Sequence, residues 1–130
     1  MIRLRVPLLV GLSCMPLLAW AQDVSRDAMA TRMAAHDAPV LLDVRTPAEY
    51  RDGHLAGALN VPVDEVRARS GAIGARRDQE LVVYCKSGKR AARARDTLQS
   101  LGYTNVHLLE GSADAWRADG RPLVQERPNH

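Results

Sequence analysis

Short apolar runs and helix-spaced stretches take turns along this chain. "PVLLDVR" (39–45), "ELVVYC" (80–85) and "NVHLLEG" (105–111) are brief and rich in Val and Leu, the pattern of strands buried on both faces. Helical periodicity lies between and around them. "VSRDAMATRMAAH" (24–36) puts Met29 and Met33 on one face, with Asp23 or Ser25 as a cap. "TPAEY" opens another helix, with Thr46 as N-cap, Pro47 in the first position and Glu49 closing a capping box. "DGHLAGALNVP" is turn chemistry with a short extended piece, and "VDEVRARS" (63–70) predicts a third helix before the Gly-containing connection "GAIGARRD". The stretch after Arg90 spaces Ala91, Ala94, Leu98 and Leu101 on one helical face and stops near Gly102. "SADAWRADG" is a short last helix with Ser112 as its cap, and "RPLVQERPNH" reads as a polar, frayed tail. Strands separated by helices predict an α/β fold, with a mostly parallel central sheet flanked by helices on both faces.

The first 21 residues follow a different pattern. Arg3 and Arg5 form a short basic region, Val6 to Leu18 is mostly apolar, and Ala19-Trp20-Ala21 supplies a small-residue cleavage site. The apolar stretch is short for a membrane span of about 20 residues, and Pro7 and Pro16 interrupt it. The expectation is a signal peptide cleaved after Ala21, export to the periplasm and no stable membrane insertion afterwards. Leu4 separates the two arginines, which favours an unfolded export route over a twin-arginine one. Residues 22–130 then suit one domain with its own core.

Removing that leader changes two further readings. The formal charge of +3 falls by two, so the basic balance is largely a leader effect. Only Tyr50, Tyr84, Tyr103 and Trp116 remain as aromatics, and signs of charge are interspersed, which argues against a nucleic-acid surface. Of the two cysteines, Cys14 leaves with the leader and Cys85 stays alone. A lone thiol in an exported domain is either a buried small hydrophobe or a reactive nucleophile.

Its surroundings decide for the nucleophile. "CKSGKR" (85–90) joins a strand's carboxyl end to a helix N-terminus, the place where ligands bind in such sheets. Gly88 lets the backbone curl, and the helix amides point at any anion. Lys86, Lys89 and Arg90 add three positive charges, and such surroundings favour a thiolate at neutral pH.

These same residues resemble a known family. "LLDVRTPAEYRDGHLAGALNVP" and "VVYCKSGKRAARARDTLQSLGYTNVHLLEGSADAWRADGRPL" resemble the two signatures of the rhodanese domain, in the right order around the cysteine and across most of residues 40–123. The resemblance implies a rhodanese-like fold and an exported thiosulfate sulfurtransferase that needs no cofactor. It assigns Cys85 as the nucleophile that takes sulfane sulfur as a persulfide. Lys86, Ser87, Gly88, Lys89 and Arg90 would bind the anionic donor, and Asp43 and Arg45 would hold the site's loops together. A small anionic sulfur donor and a thiophilic acceptor are the implied partners, with a redox or sulfur-acceptor protein compatible with the same chemistry. Nothing in the sequence demands more than a monomer.

One departure is Ser112, where the family often carries a second glycine, and the expectation is a slightly different turn with unchanged catalysis. The spacing C-x4-R also separates the chain from cysteine phosphatases of related architecture, whose C-x5-R cradles a larger oxyanion and which need an acid for the leaving group. His54 reads as a satisfied turn histidine, Trp116 as core packing, and Arg76 and Arg77 as a solvated charged turn. The four histidines and single mature cysteine show no metal-ligand spacing. Two other functions remain open: a sulfur carrier that depends on a protein partner, and a non-catalytic binding module on the same scaffold.

Overall fold

A computed structural model describes residues 23–126. Four strands form one sheet: β1 (Val40–Asp43), β2 (Leu59–Asn60), β3 (Leu81–Tyr84) and β4 (Val106–Leu108), in the order β2-β1-β3-β4. Every pairing is parallel, with Leu42 beside Val83 and Val83 beside Leu108. A parallel pair needs a crossover long enough to return the chain to the same end, and the intervening helices supply it. They are α1 (Arg26–Ala34), α2 (Pro47–Asp52), α3 (Val66–Arg69), α4 (Lys89–Ser100) and α5 (Ser112–Ala118).

Because successive strand residues point to opposite faces, the sheet feeds two cores. Leu42, Leu81 and Val83 pack with Val66 of α3 and with Ala91, Ala94 and Leu98 of α4. Leu41, Val82 and Tyr84 face the other way, against Met29 of α1 and Ala113 and Trp116 of α5. All four residues of β3 are fully buried, which explains why that run carries no alternation. The α/β architecture expected from the sequence is the one observed.

Three local expectations need correction. Residues 63–70 are not one helix: a 3-10 turn at Val63–Glu65, the single α turn α3 and a second 3-10 turn at Ser70–Ile73 follow one another. Only Val66 of α3 is fully buried, and Gly74 closes the segment in the left-handed conformation, so too little apolar face exists to hold a longer helix. Ser112 does not cap α5; Gly111 stands at that position and Ser112 is the first helical residue. The chain after α5 is not frayed as far as Glu126. Trp116 Nε1 donates to Pro122 O at 3.0 Å, His54 and Val124 exchange backbone hydrogen bonds, and Glu126 N donates to Arg51 O. The expected leader (1–21) and the last four residues lie outside the described residues.

Candidate active site

The loop of residues 85–88 leaves β3 at its carboxyl end and enters α4 at Lys89. Gly88 adopts φ 118°, ψ −18°, a conformation that a side chain would strain. That turn aims its amide back at the cysteine, and Gly88 N donates to Cys85 Sγ at 3.0 Å. The amides of residues 86, 87, 89 and 90 have no acceptor among the described residues. Cys85 is 1% exposed, so it lies beneath the loop that carries these amides rather than on the surface.

The start of α5 clamps the loop from behind. Ala113 N donates to Cys85 O at 3.0 Å and Asp114 N to Lys86 O at 2.9 Å, while Cys85 N donates to Ser112 Oγ at 3.3 Å. Ser112 takes a positive φ of 53°, which accounts for the frequent glycine at this position in the family that the sequence resembles. Here a hydroxyl occupies the site and satisfies a buried amide. Gly111 before it is obligatory, since a Cβ there would stand 2.4 Å from Ala115 Cβ.

The cations of the loop have different fates. Lys86 pairs with Asp114 at 3.1 Å on the exposed rim. Arg90 meets Glu49 of α2 through two hydrogen bonds, Nη1 to Oε1 at 2.7 Å and Nη2 to Oε2 at 3.1 Å. Arg90 holds the Glu49 carboxyl down to about 2, and Glu49 in turn raises the Arg90 guanidinium. Lys89 has no carboxylate partner among the described residues. Glu49 also completes the capping box with Thr46, so one carboxylate ends the α2 backbone and neutralises the loop's arginine.

Asp43 and Arg45 form a second pair, deeper in the molecule. Asp43 is wholly buried and Arg45 is 4% exposed. Arg45 donates through Nη2 to Asp43 Oδ2 at 2.6 Å and to Gly53 O at 2.7 Å, and Asn60 Nδ2 reaches the carbonyls of both residues. Burial disfavours the guanidinium charge, yet the hydrogen bonds and charge of Asp43 leave it more firmly protonated than usual. Tyr84, also buried beside Asp43, has its phenol pushed up chiefly by burial, and its oxygen accepts from Leu55 N at 3.0 Å. These bonds tie the end of β1 to the α2–β2 connection, directly beside the cysteine loop.

The remaining singled-out residues lie elsewhere. His54 stacks on Tyr50 with ring centroids 3.7 Å apart, and its Nδ1 lies 2.8 Å from Tyr50 O. Arg77 is more than a solvated charge, for its guanidinium covers the Tyr103 ring at 4.2 Å. Sequence reasoning missed Glu49, Ser112 and Asp114 as parts of the site. Glu49 already had a local explanation as a cap, and the other two reach the loop only through the packing of α5.

A buried cysteine that accepts from a loop amide at the carboxyl edge of a parallel sheet stands where open α/β domains bind their ligands. Comparison with known proteins narrows the class of domain: residues 25–119 match the Rhodanese-like domain, and the chain belongs to that family. A sulfurtransferase of Allochromatium vinosum is 33% identical over 102 residues, covering 78% of this chain and 94% of that protein. The thiosulfate:glutathione sulfurtransferase of Saccharomyces cerevisiae is 33% identical over 111 residues, covering 76% and 80% respectively. Among solved structures, a rhodanese-related protein from Thermoplasma volcanium superposes with a TM-score of 0.69 at 30% identity, over 81% of this chain and 99% of that one. These relatives support sulfur transfer as the general class of activity.

Proposed function

We propose that the chain moves sulfane sulfur from thiosulfate, or a similar anionic donor, to a thiophilic acceptor through a persulfide on Cys85. The observation that carries this reading is the Gly88 amide on Cys85 Sγ within a loop whose other amides are open. Such donors stabilise negative charge on sulfur without reorganising, and they would do the same for the outer sulfur of a persulfide. The Cys85 thiolate attacks the outer sulfur of thiosulfate, the S–S bond breaks, and its electron pair leaves on sulfite. A thiophile such as cyanide or a small thiol then attacks the persulfide's outer sulfur and returns the electron pair to Cys85.

Roles for the other residues follow their surroundings. The backbone of Lys86, Ser87, Gly88, Lys89 and Arg90 forms the cradle. Lys89 is the cation free to meet the donor, whereas Arg90 does so against the competition of Glu49. Asp43 and Arg45 act as supports by fixing the loop's neighbour. Cys85 is the one free thiol among the described residues and Cys14 belongs to the leader, so in the mature chain release requires an external acceptor. The yeast relative's name pairs thiosulfate with glutathione, which supports a small thiol in that role. We place the activity in the periplasm, on the leader pattern of residues 1–21.

Steady-state kinetics with thiosulfate and cyanide test the reading. Parallel double-reciprocal lines are expected, with no turnover in Cys85→Ser. Intersecting lines, or activity in that variant, would exclude a persulfide on Cys85.

A further inference from the structure

Two cavities meet beside the cysteine loop. The smaller, about 160 Å³, is bounded by Arg45, Glu49, Lys86 and Asp114 together with Asp52 and Arg117. A larger one of about 530 Å³ is lined by Asp52, Arg117, Leu123 and Gln125. Asp52 and Arg117 line both, so the two adjoin as a groove that touches the cysteine loop at Lys86 and reaches Leu123 and Gln125 of the C-terminal segment. That segment is fixed in place, for Gln125 Nε2 donates to Asp52 O at 3.1 Å.

Within the groove the charges sort into two kinds. Glu49, Lys86, Arg45 and Asp114 are all engaged in ion pairs. The side chains of Asp52 and Arg117 have no ion-pair or hydrogen-bond partner among the described residues. Both line the same two cavities, and the Arg117 guanidinium lies against the backbone that follows Asp52, where a Cβ on Gly53 would stand 3.7 Å from Arg117 Nη2. One free carboxylate and one free guanidinium therefore share a space that opens beside the sulfur-carrying loop.

We infer that this groove selects the acceptor, and that it fits a small thiol carrying both an ammonium and a carboxylate group, as an amino-acid thiol does. Arg117 takes the carboxylate with its planar donor fork and Asp52 takes the ammonium. The thiolate end points toward Cys85, attacks the outer persulfide sulfur, and leaves as R–S–S⁻ while the Cys85 thiolate is regenerated. Atoms and charge balance with no oxidant or reductant. Asp52 and Arg117 are positioning residues for this half-reaction and take no part in loading Cys85. The inference rests on Cys85 as the sulfur carrier.

Acceptor kinetics on the full chain separate the two claims, with thiosulfate as donor and cysteine, 2-mercaptoethanol or cyanide as acceptor. Arg117→Ala and Asp52→Asn should each raise KM for cysteine about fivefold, the scale of one exposed charged contact, and leave KM for the other two acceptors unchanged. Equal effects on all three acceptors, or none on cysteine, would overturn the groove. Binding is read independently of turnover by nuclear magnetic resonance with S-methylcysteine, which cannot accept sulfur. Saturable shifts at the amides of Asp52, Gly53 and Arg117, lost in both variants, are expected; their absence would overturn the inference. A chain that binds this probe yet passes no sulfur to cyanide would keep the groove and remove the persulfide reading instead.

Discussion

Two arginine–carboxylate pairs flank the cysteine loop, and they differ in depth. Asp43–Arg45 is sealed, with each side chain at most 4% exposed, whereas Glu49–Arg90 lies at the mouth with about a third of each side chain in water. Three side-chain hydrogen bonds hold the first and two the second, and that small difference is not what sets them apart. Depth does. In the interior, neither charge has water to fall back on, and losing one partner strands the other. At the mouth, solvent replaces a lost partner at little cost, so that pair can be broken without unfolding the chain. The same chemistry is a sealed fastener in one place and, under the proposed function, a control on binding in the other.

The largest test strikes the sealed pair. Arg45→Ala should lower unfolding stability by about 3–5 kcal/mol in urea denaturation, because Asp43 is left buried and unpaired. A loss comparable to that of a surface pair would show that water reaches Asp43 and that the contrast in depth is false. A smaller effect is expected where α5 meets the loop. Ser112→Ala removes the acceptor of the buried Cys85 amide while keeping the strained backbone, and should cost about 1–3 kcal/mol by the same measurement.

Glu49→Gln should scarcely change stability, by under about 1 kcal/mol, since glutamine still serves a capping box and the pair is about a third in solvent. Its effect belongs to binding: Arg90 is released toward the loop, and KM for thiosulfate should fall about threefold, the worth of one freed exposed cation. An unchanged KM would show that Arg90 does not face the donor even when free. The same variant carries the smallest prediction, in acid. The Glu49 carboxyl sits at about 2, below its unfolded value, so the pair stabilises the fold above that unfolded value and loses its contribution as pH falls toward 2. Glu80, lowered by Arg32, adds to the same acid limb. Stability measured against pH should therefore fall less steeply below the carboxylate range in Glu49→Gln than in the unaltered chain.

What the sequence revealed and what it concealed divide on physical lines. The parallel sheet was legible because β1, β3 and β4 are short Val- and Leu-rich runs separated by helical spacing. The cysteine loop was legible because Cys85, Gly88 and the cations are contiguous. The Glu49–Arg90 pair was not, for its partners are 41 positions apart and Glu49 had a sufficient local role at the start of α2. Ser112 was assigned as a cap on residue type alone, a preference that the left-handed Gly111 overrides. Arg121–Glu126 looked polar and free, yet Leu123 packs on the second core and Val124 pairs with His54, contacts that only the folded chain brings together. Long-range partners account for the Glu49–Arg90 pair and the tail, and local backbone conformation for Ser112.

The central claim is that Cys85 carries sulfur in the amide ring, and intact mass tests it directly. The reduced protein treated with thiosulfate should gain one sulfur, about 32 Da, lose it again on addition of cyanide, and show neither change in Cys85→Ser. A protein whose mass stays constant through both additions, or a Cys85→Ser variant that gains the same sulfur, would contradict the account.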